Sequence, residues 1–308
     1  MNKCPFCYQS LDKGTFHTKC CKKMFGITEL PVLTLDKDLL NDLAKTTVNN
    51  RISVTGVQPK LSVELEDVKG AEKRLTIVGL WGNYILKPQN INYEQMPEVE
   101  DLTMHLAEIF KLNTCQHCLL KASDGQMVYI AKRFDREKGQ KIHMEDFCQI
   151  GEFQTEQKYN SSYERCGKLI TKYCTNSGLD LINYFELLVF SFLSGNNDMH
   201  MKNFSVLHRQ DQILLSPAYD LINSNLINPK DKEDVALSLN GKKKKLSRKD
   251  FEMLASVLKI SDKMLKRILD KYCNTTDKVF KLIDQSFMSN EYKTNYKNIW
   301  TEKLNRLK

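Results

Sequence analysis

Between Leu181 and Leu193, nearly every residue of this 308-residue chain is apolar. A helix that is apolar on all sides is stable where it is buried on all sides, so this segment predicts the central helix of a large core. Asp180 precedes the run and is a suitable N-cap. Polar residues follow at once, in the order Gly195-Asn196-Asn197-Asp198-Met199-His200-Met201-Lys202-Asn203. The buried helix therefore leads directly into a loop whose side chains can do chemistry.

The composition is that of an ordinary globular protein. Hydrophobic residues make up 41% of the chain and charged residues 27%, which are typical of a packed domain. We expect no membrane helix, because no run of about 18 apolar residues occurs, and no signal peptide. In the cytoplasmic protein that this predicts, the ten cysteines would be reduced thiols or metal ligands. The net charge of +8 favours an anionic partner such as a nucleotide, RNA or an acidic protein surface.

Strand signals give way to helix signals along the chain. Short β-branched or aromatic segments predict strands at 51–53, 60–66, 74–78, 83–87 and 127–133. Pro97 opens one helix among them. Beyond residue 145 the apolar spacing is helical, and Ser247 is a suitable N-cap for the first of several amphipathic helices.

This order predicts an α+β protein with a bilobal, protein-kinase-like fold. A Cys-rich head ends at Gly26 and is followed by a linker, and together they occupy residues 1–44. We expect a small β-rich N-lobe with the nucleotide loop over 45–140. A larger helical C-lobe with the catalytic loop is expected over 141–308.

The polar loop after the buried helix is the strongest chemical signal. Phosphoryl transfer to a hydroxyl needs a carboxylate that accepts the proton and a nearby amide oxygen that binds magnesium, and protein kinases place them five residues apart. Asp198 and Asn203 have that separation. Asp220, after a predicted strand at 213–215, could bind the metal ions that bridge the phosphates. Two Asp-containing turns without chemistry would show the same pattern.

Two further segments suit a nucleotide. Lys87 ends an apolar strand, where its ammonium could reach phosphates. Either Glu98 or Glu100 in the next helix could pair with it, although a strand-end lysine is more often a solvated charge. The segment 53–60 lies between two predicted strands and holds one glycine, Gly56, so by composition alone it is a hairpin loop.

Six segments together resemble, in the same order, the successive motifs of the HipA-type serine/threonine kinase toxin family. They are Ser53–Leu61, Leu86–Pro88, Arg133–Arg136, Glu145–Gln149, Gly195–Phe204 and Pro217–Leu221. The resemblance covers roughly residues 45–260. The chain is most similar to the short members, called HipT, which lack the extra N-terminal subdomain of the longer ones.

The resemblance implies a role for each matching residue. Asp198 is similar to the catalytic base, Asn203 and Asp220 to the magnesium ligands, and Lys87 to the lysine on the ATP phosphates. ATP contacts are also implied for His200, for the loop residues Ser53, Val54, Thr55 and Gly56, and for a hinge of Lys132, Arg133 and Phe134. Ser53 matches a serine whose autophosphorylation switches such enzymes off, and Thr55 stands where short members carry a second hydroxyl. A phosphate there would add about −1.5 to −2 charges beside those of ATP.

The implied function is a toxin of a bacterial toxin–antitoxin system that uses ATP and Mg²⁺ to phosphorylate a translation component, such as glutamyl- or tryptophanyl-tRNA synthetase. The implied partners are a helix-turn-helix antitoxin, through which alone the chain would contact DNA, and a small HipS-like protein. Two alternatives are a small-molecule phosphotransferase, since antibiotic kinases share the Asp–Asn geometry, and a non-catalytic ATP-binding module. The presence of Lys87, Asp198, Asn203 and Asp220 disfavours the module.

The head carries a separate pattern, Cys4-x-x-Cys7 and then His17-x-x-Cys20 with Cys21 adjacent. Three thiolates and an imidazole could close a tetrahedral structural zinc site. Reduced cysteines that pack a short segment explain the pattern equally well. Elsewhere, Cys115-x-x-Cys118 predicts core packing, and Lys242–Lys245 predicts a solvated turn.

Overall fold

The computed structural model describes residues 3–33, 60–67, 73–78, 81–123, 125–137 and 139–308. The chain divides into two compact units. The β-rich unit comprises Met1–Leu102, Cys115–Phe134 and Gln285–Met288, and the helical unit comprises Thr103–Thr114, Asp135–Asp284 and Ser289–Lys308. The division of the chain at residues 44 and 140 stays a prediction.

The β-rich unit is built on a six-stranded sheet. Its strands are Val32–Leu33 (β1), Leu61–Glu66 (β2), Arg74–Ile77 (β3), Tyr84–Lys87 (β4), His117–Lys121 (β5) and Met127–Lys132 (β6), in the order β1-β3-β2-β4-β6-β5. The pair β1–β3 is parallel and the other described pairs are antiparallel. Four predicted strands are confirmed to within a residue, and the one at 51–53 lies outside the described residues.

Strand β5 was not expected from the sequence. Its first four residues are all buried, so the segment lacks the alternation that reveals a half-exposed strand. The Cys118 side chain within it belongs to the hydrophobic core, as predicted for the Cys115–Cys118 pair. The packing prediction for this pair is therefore confirmed.

The head packs on this sheet. Its helix Thr18–Phe25 (α1) ends at Gly26, which has a φ of +75° and therefore suits glycine. Cys4, Phe6 and Phe25 share one hydrophobic core with the sheet residues Leu61, Val63, Leu86 and Ile130. The helix Met96–Ile109 (α2) is the one that Pro97 predicts, and it begins in the β-rich unit and ends in the helical unit.

The helical unit contains two small sheets and most of the helices. The strands are Arg136–Glu137 (β7) paired with Gln140–Lys141 (β8), and Met144–Asp146 (β9), Ser205–Arg209 (β10) and Gln212–Leu215 (β11) in the order β11-β10-β9. The helices are Phe147–Ile150 (α3), Tyr163–Tyr173 (α4), Ser177–Leu193 (α5), Ser224–Ile227 (α6), Arg248–Val257 (α7), Asp262–Cys273 (α8), Thr276–Gln285 (α9) and Asn290–Leu307 (α10). The 3-10 turns are Thr155–Gln157 and Met201–Asn203.

Helix α5 is the buried helix that the apolar run predicts, but it begins one turn earlier than expected. Asn176 is its N-cap, so the prediction that Asp180 caps the helix is wrong. The Asp180 carboxylate instead accepts a hydrogen bond from the backbone N–H of Leu215 at 3.2 Å, which ties the helix to strand β11. The sequence could not show this partner, because it lies 35 residues away.

Ser247 is the N-cap of helix α7, as predicted, and its backbone N–H donates to the carboxylate of Asp250 at 2.9 Å. The segment 235–239, which precedes helix α7, does not form a regular strand. This segment is buried but forms isolated bridges at Ser238 and Leu239. In the turn that follows, the Lys242 ammonium binds the Asp250 carboxylate at 2.8 Å. Within the described part of the chain, no helix is long and apolar enough to cross a membrane.

Candidate active site

The loop that follows helix α5 begins at a glycine for a steric reason. Gly195 has a φ of +75°, and a Cβ atom on it would lie 2.4 Å from Oδ1 of Asn223. The Gly195 carbonyl accepts from Asn225 N at 3.0 Å, and the backbone N–H of Asn197 donates to Ser224 Oγ at 2.8 Å. The start of the loop is therefore fastened to the segment that follows Asp220.

Asp198 is held on both its side chain and its main chain. The Tyr159 hydroxyl donates to Asp198 Oδ1 at 2.6 Å. The Asp198 carbonyl accepts from the side-chain amide of Asn203 at 2.9 Å and from the backbone N–H of His200 at 2.8 Å. The carboxylate is therefore fixed in orientation before any substrate arrives.

Burial raises the pKa of Asp198, and the carboxylates of Asp220 and Asp231 raise it further. The hydrogen bond from Tyr159 and the ammonium of Lys158 oppose this effect without reversing it. A carboxylate with a raised pKa is a better proton acceptor than an ordinary one near neutral pH. The Asp220 carboxylate is thus one of the charges that act on Asp198.

The two predicted magnesium ligands, Asn203 and Asp220, offer oxygen atoms that suit this ion. Because the Nδ2 group of Asn203 donates to Asp198, the Oδ1 oxygen of the same amide is the atom that can bind a cation. Asp220 has a φ of +60°, a conformation that non-glycine residues adopt rarely and that is common at functional sites. Amide and carboxylate oxygens are the ligands that Mg²⁺ prefers.

The turn before Asp220 is bound to the loop through Tyr219. Its hydroxyl donates to the Lys202 carbonyl at 2.8 Å and lies 2.7 Å from Ser205 Oγ. The Lys202 ammonium in turn binds the carboxylate of Asp146 at 2.7 Å. Asp146 is also the N-cap of α3, with Gln149 completing the capping box, so the 145–149 motif supports the same loop.

In the β-rich unit, Lys87 is paired and buried. Its ammonium lies 2.6 Å from Glu100 Oε1, and the two side chains are 7% and 1% exposed. The ring of Tyr129 lies beside it, with its centroid 5.6 Å from Nζ. The structure thus selects Glu100 over Glu98 and excludes the solvated strand-end lysine.

The predicted hinge uses its first two backbone donors internally. The N–H of Lys132 donates to the Gln116 carbonyl at 2.8 Å, and the N–H of Arg133 donates to the Asn83 carbonyl at 2.9 Å. Contacts from these two residues to adenine would therefore come from carbonyl oxygens or side chains. Phe134 is the last residue of its segment in the β-rich unit.

Of the remaining residues that were predicted to contact ATP, the structure describes His200. His200 is buried, and its ring packs edge-on against that of Tyr159 at 5.0 Å. The loop residues Ser53, Val54, Thr55 and Gly56 lie outside the described residues. Their roles stay predictions.

The head brings its four predicted metal ligands together. One donor atom from each of Cys4, Cys7, His17 and Cys20 lies within 4.8 Å of the others. Burial, and then the charge of Cys7, raises the pKa of Cys20 to about 12. With no cation beside it, this thiol stays protonated at neutral pH.

Two residues of the site, Lys158 and Tyr159, were not predicted from the sequence. The Lys158 carbonyl accepts from Met201 N at 3.2 Å, and its ammonium lies 5.0 Å from the ring centroid of Tyr159. They lie between a 3-10 turn and helix α4, where no periodic pattern marks a site. A tyrosine that serves an aspartate 39 residues away has no local signature.

The chain is similar to proteins of a known family. The sequence model of the HipA-like C-terminal domain family matches residues 52–280. Y4dM of Sinorhizobium fredii, a protein named as a candidate kinase, is 30% identical over 230 residues, which are 70% of this chain and 56% of that protein. The serine/threonine-protein kinase toxin HipA of Shewanella oneidensis is 26% identical over 197 residues, which are 57% of this chain and 44% of the toxin. The chain spans about half the length of the curated relatives it matches.

Two solved structures share the fold. The Shewanella oneidensis MR-1 structure of HipA, HipB and their operator DNA has a chain that matches with a TM-score of 0.69 at 19% identity, over 91% of this chain and 72% of that one. The Helicobacter pylori proinflammatory kinase CtkA matches with a TM-score of 0.53 at 14% identity, over 79% of this chain and 92% of that one. These matches confirm the predicted α+β, kinase-like fold class.

Proposed function

This chain belongs to the HipA-like C-terminal domain family, and we propose that it is a serine/threonine protein kinase that acts as the toxin of a bacterial toxin–antitoxin system. The observation that carries the proposal is the Asp198–Asn203 loop. Its carboxylate is oriented by Tyr159 at 2.6 Å, and its amide is oriented at 2.9 Å so that Oδ1 can bind a cation. A loop of solvated turn residues would not need these two bonds.

Each residue of the site has a role in this proposal. Asp198 accepts the proton of the substrate hydroxyl, and the bond from Tyr159 keeps its carboxylate in one orientation. Asn203 and Asp220 would hold magnesium, and Lys87, paired with Glu100, would hold the ATP phosphates. When bound, ATP would supply the phosphoryl group, and Mg²⁺ would offset the negative charge that develops on it.

The substrate and partners are proposed from the family. We expect the acceptor to be a serine or threonine of a translation component, with glutamyl- or tryptophanyl-tRNA synthetase as the first candidates. The Shewanella oneidensis structure is a complex of HipA with HipB and operator DNA, which supports an antitoxin as partner. A helix-turn-helix antitoxin would then make the DNA contacts, and a small HipS-like protein would be a second partner.

The test compares Asp198→Asn with Asp220→Ala. Asp198→Asn should lower phosphate transfer from labelled ATP by about 10²–10⁴-fold, the usual loss for a general base, and should abolish growth arrest on expression. Its affinity for Mg²⁺–ATP in calorimetry should stay near that of the wild type. Asp220→Ala should instead weaken Mg²⁺–ATP binding, because it removes a ligand oxygen.

Asp211→Asn is the matched control, because Asp211 is exposed in the turn between β10 and β11. It should keep full transfer. Near-normal transfer by Asp198→Asn would refute the kinase assignment. Wild-type protein that binds ATP without transferring phosphate would be a non-catalytic module, and transfer to small molecules alone would make it an antibiotic-type phosphotransferase.

Self-inactivation is tested separately by mass spectrometry. Incubation with Mg²⁺–ATP should place phosphate on Ser53, and Thr55 is the second candidate. Phosphate there would repel the ATP phosphates, so Ser53→Asp should lower transfer while Ser53→Ala preserves it. Phosphate found only outside residues 51–60 would contradict this mode of regulation.

A further inference from the structure

Four side chains of the head converge on one point, although they come from two separate segments. The donor atoms of Cys4, Cys7, His17 and Cys20 all lie within 4.8 Å of one another. Cys7 Sγ and His17 Nδ1 are 3.4 Å apart. Two such ligands on a tetrahedral zinc ion, with Zn–S of about 2.3 Å and Zn–N of about 2.0–2.1 Å, would be about 3.5 Å apart. The Cys7–His17 pair therefore has the spacing of two ligands on one tetrahedral ion, and all four donors lie near enough to share one cation.

The backbone around the cluster holds the donor residues in place. His17 N donates to Cys4 Sγ at 3.4 Å. Tyr8 N donates to the Cys4 carbonyl at 2.9 Å, which closes the first pair into a tight turn. His17 is the N-cap of the eight-residue helix α1, and Cys20 lies in its first turn, where the helix dipole favours negative charge. The thiolate is the form of cysteine that binds metal.

Cys21 shows what a packed cysteine of the same segment looks like. Its Sγ donates to the Glu29 carbonyl at 3.2 Å, and it lies in the hydrophobic core with Met24 and Phe25. Packing therefore explains Cys21 but does not explain why an imidazole nitrogen approaches three sulfur atoms. Soft sulfur and imidazole donors in a tetrahedral arrangement favour Zn²⁺ over Mg²⁺ or Ca²⁺.

Tyr8, directly after the second cysteine, connects the head to helix α2. Its φ of +60° lies in the left-handed region, which a bulky aromatic residue rarely adopts. Its hydroxyl donates to Oδ2 of the buried Asp101 at 2.6 Å. Its ring packs edge-on against Phe287 at 5.4 Å. The strained turn of the cysteine pair is thus tied to a buried hydrogen bond on α2.

From Asp101 the contacts continue to the paired lysine. Asp101 Oδ1 lies 2.7 Å from His117 Nδ1, and both side chains are buried. The His117 ring stacks on Tyr129 at 5.9 Å, and the Tyr129 ring lies beside the Lys87 ammonium. Asp101 also follows Glu100, the partner of Lys87, on the same helix. The head is therefore linked to the Lys87–Glu100 pair in two ways. Tyr8 binds the residue next to Glu100, and the contacts from Asp101 through His117 and Tyr129 lead to Lys87.

We propose that Cys4, Cys7, His17 and Cys20 bind one structural Zn²⁺ ion, and that the closed head positions the Lys87–Glu100 pair through Tyr8 and Asp101. Each of the three thiols releases its proton when the metal binds, and His17 binds as the neutral imidazole. The zinc site is independent of the proposed function. The positioning role of Tyr8 rests on that function, because the function assigns Lys87 to the ATP phosphates.

The first experiment measures zinc, iron, copper and nickel in protein purified without chelators. We expect about one equivalent of zinc, its loss from the Cys4→Ser, Cys7→Ser double variant, and its retention in Cys21→Ser. If the double variant does not fold, Co²⁺ added to chelator-treated wild-type protein replaces it and should give the absorption of a tetrahedral thiolate complex. Wild-type protein without zinc that also gives no such spectrum would refute the site, as would full zinc in the double variant.

The second experiment compares Tyr8→Phe with Tyr296→Phe, because each change removes one buried hydroxyl that takes part in a hydrogen bond and keeps the ring. The Tyr296 hydroxyl lies 3.0 Å from Thr103 Oγ1 in the helical unit. Tyr8→Phe should keep its zinc and bind ATP about 5-fold more weakly, the order expected for one hydrogen bond. Tyr296→Phe should keep wild-type ATP affinity.

Equal ATP affinities for the two variants would refute the positioning role. Wild-type protein that binds no ATP would refute the proposed function and the positioning role together. The metal measurement would still decide the zinc site in that case, so the two failures are distinguishable.

Discussion

At the scale of single residues, the site depends on the carboxyl group of Asp198. Burial favours its protonated form, while the Tyr159 hydroxyl and the Lys158 ammonium favour the ionised form. The result is a pKa above the ordinary value, which suits a base that must accept a proton near neutral pH. Two hydrogen bonds orient this residue. Tyr159 donates to its side-chain carboxylate, and the side-chain amide of Asn203 donates to its backbone carbonyl.

Tyr159→Phe should move the acidic limb of the pH–activity profile to higher pH. The tyrosine donates to the ionised carboxylate and so lowers the pKa of Asp198, and its removal raises that pKa. The initial rate of autophosphorylation between about pH 5 and 8 measures the shift. Tyr173→Phe is the control, because its hydroxyl accepts from the exposed Lys172. An acidic limb at the wild-type position would contradict the contact.

Asp198→Asn should also make the protein more stable at neutral pH. The folded-state pKa of Asp198 is raised, so its contribution to stability is present below the unfolded pKa of about 4 and is lost as pH rises through the folded pKa. Replacing the ionised group by a neutral amide should raise Tm by about 2 °C at pH 7. This gain should vanish below about pH 4. Asp211→Asn should show no such pH-dependent gain.

At the scale of elements, helix α5 supports the proposed catalytic loop, residues 195–203. Its buried faces fix the end of the helix, and Gly195 allows the chain to turn there against Asn223. The contact to Asn223 matters because this residue follows Asp220 and caps helix α6 through its side chain. The loop at 195–203 and the segment that carries the proposed metal ligand Asp220 are therefore joined at the base of the loop.

Gly195→Ala should lower the free energy of unfolding by about 1–3 kcal/mol and reduce phosphate transfer, because its φ of +75° and the 2.4 Å approach both oppose a side chain. Gly178→Ala at the other end of helix α5 is the control. A Cβ on Gly178 meets nothing within 4 Å, so this change should stabilise the protein by about 0.5–1 kcal/mol. Urea denaturation measures both values. A neutral effect of Gly195→Ala would show that Asn223 can move away.

At the scale of the whole molecule, each unit has a buried aspartate that joins distant parts of the chain. In the β-rich unit this is Asp101, between the head and strand β5. In the helical unit it is Asp234, whose oxygens lie 3.2 Å from the Lys303 ammonium and 2.5 Å from the Arg306 guanidinium on helix α10. Burial alone would raise the pKa of Asp234, but Arg306 and Lys303 outweigh it and lower the pKa below its ordinary value.

Asp234→Asn should therefore destabilise the protein in a pH-dependent way. A lowered folded-state pKa contributes stability that is present above the unfolded pKa of about 4 and is lost as pH falls through the folded value. We expect a loss of about 3 kcal/mol at pH 7, as for other broken buried ion pairs, and a smaller loss at pH 3. Urea denaturation at both pH values is the measurement.

Asp284→Asn provides the comparison. Asp284 pairs with Lys297, which lies on helix α10 like Lys303 and Arg306, but the Asp284 side chain is 62% exposed. Its loss should cost at most about 1 kcal/mol at either pH. Equal losses from both variants would contradict the role assigned to burial.

The sequence by itself determined the features that depend on near neighbours. The all-apolar run predicts helix α5, and short β-branched or aromatic segments predict four strands of the larger sheet. The five-residue separation of Asp198 and Asn203 predicts a catalytic loop, whose role stays a prediction. These features follow from periodicity and local geometry, which one stretch of chain carries alone.

Only the tertiary structure decided which distant residues meet. In the folded chain, Tyr159 donates a hydrogen bond to Asp198, and Lys87 pairs with Glu100 and not with Glu98. Asp180, expected to cap a helix, instead accepts a hydrogen bond from strand β11. The tertiary structure also brings the two cysteine-containing segments of the head together. Such contacts form because polar groups that become buried need hydrogen-bond partners inside the protein. Many residues have similar local patterns, and the folded structure decides which of them can supply those partners. That choice is a property of the folded chain and not of any one segment.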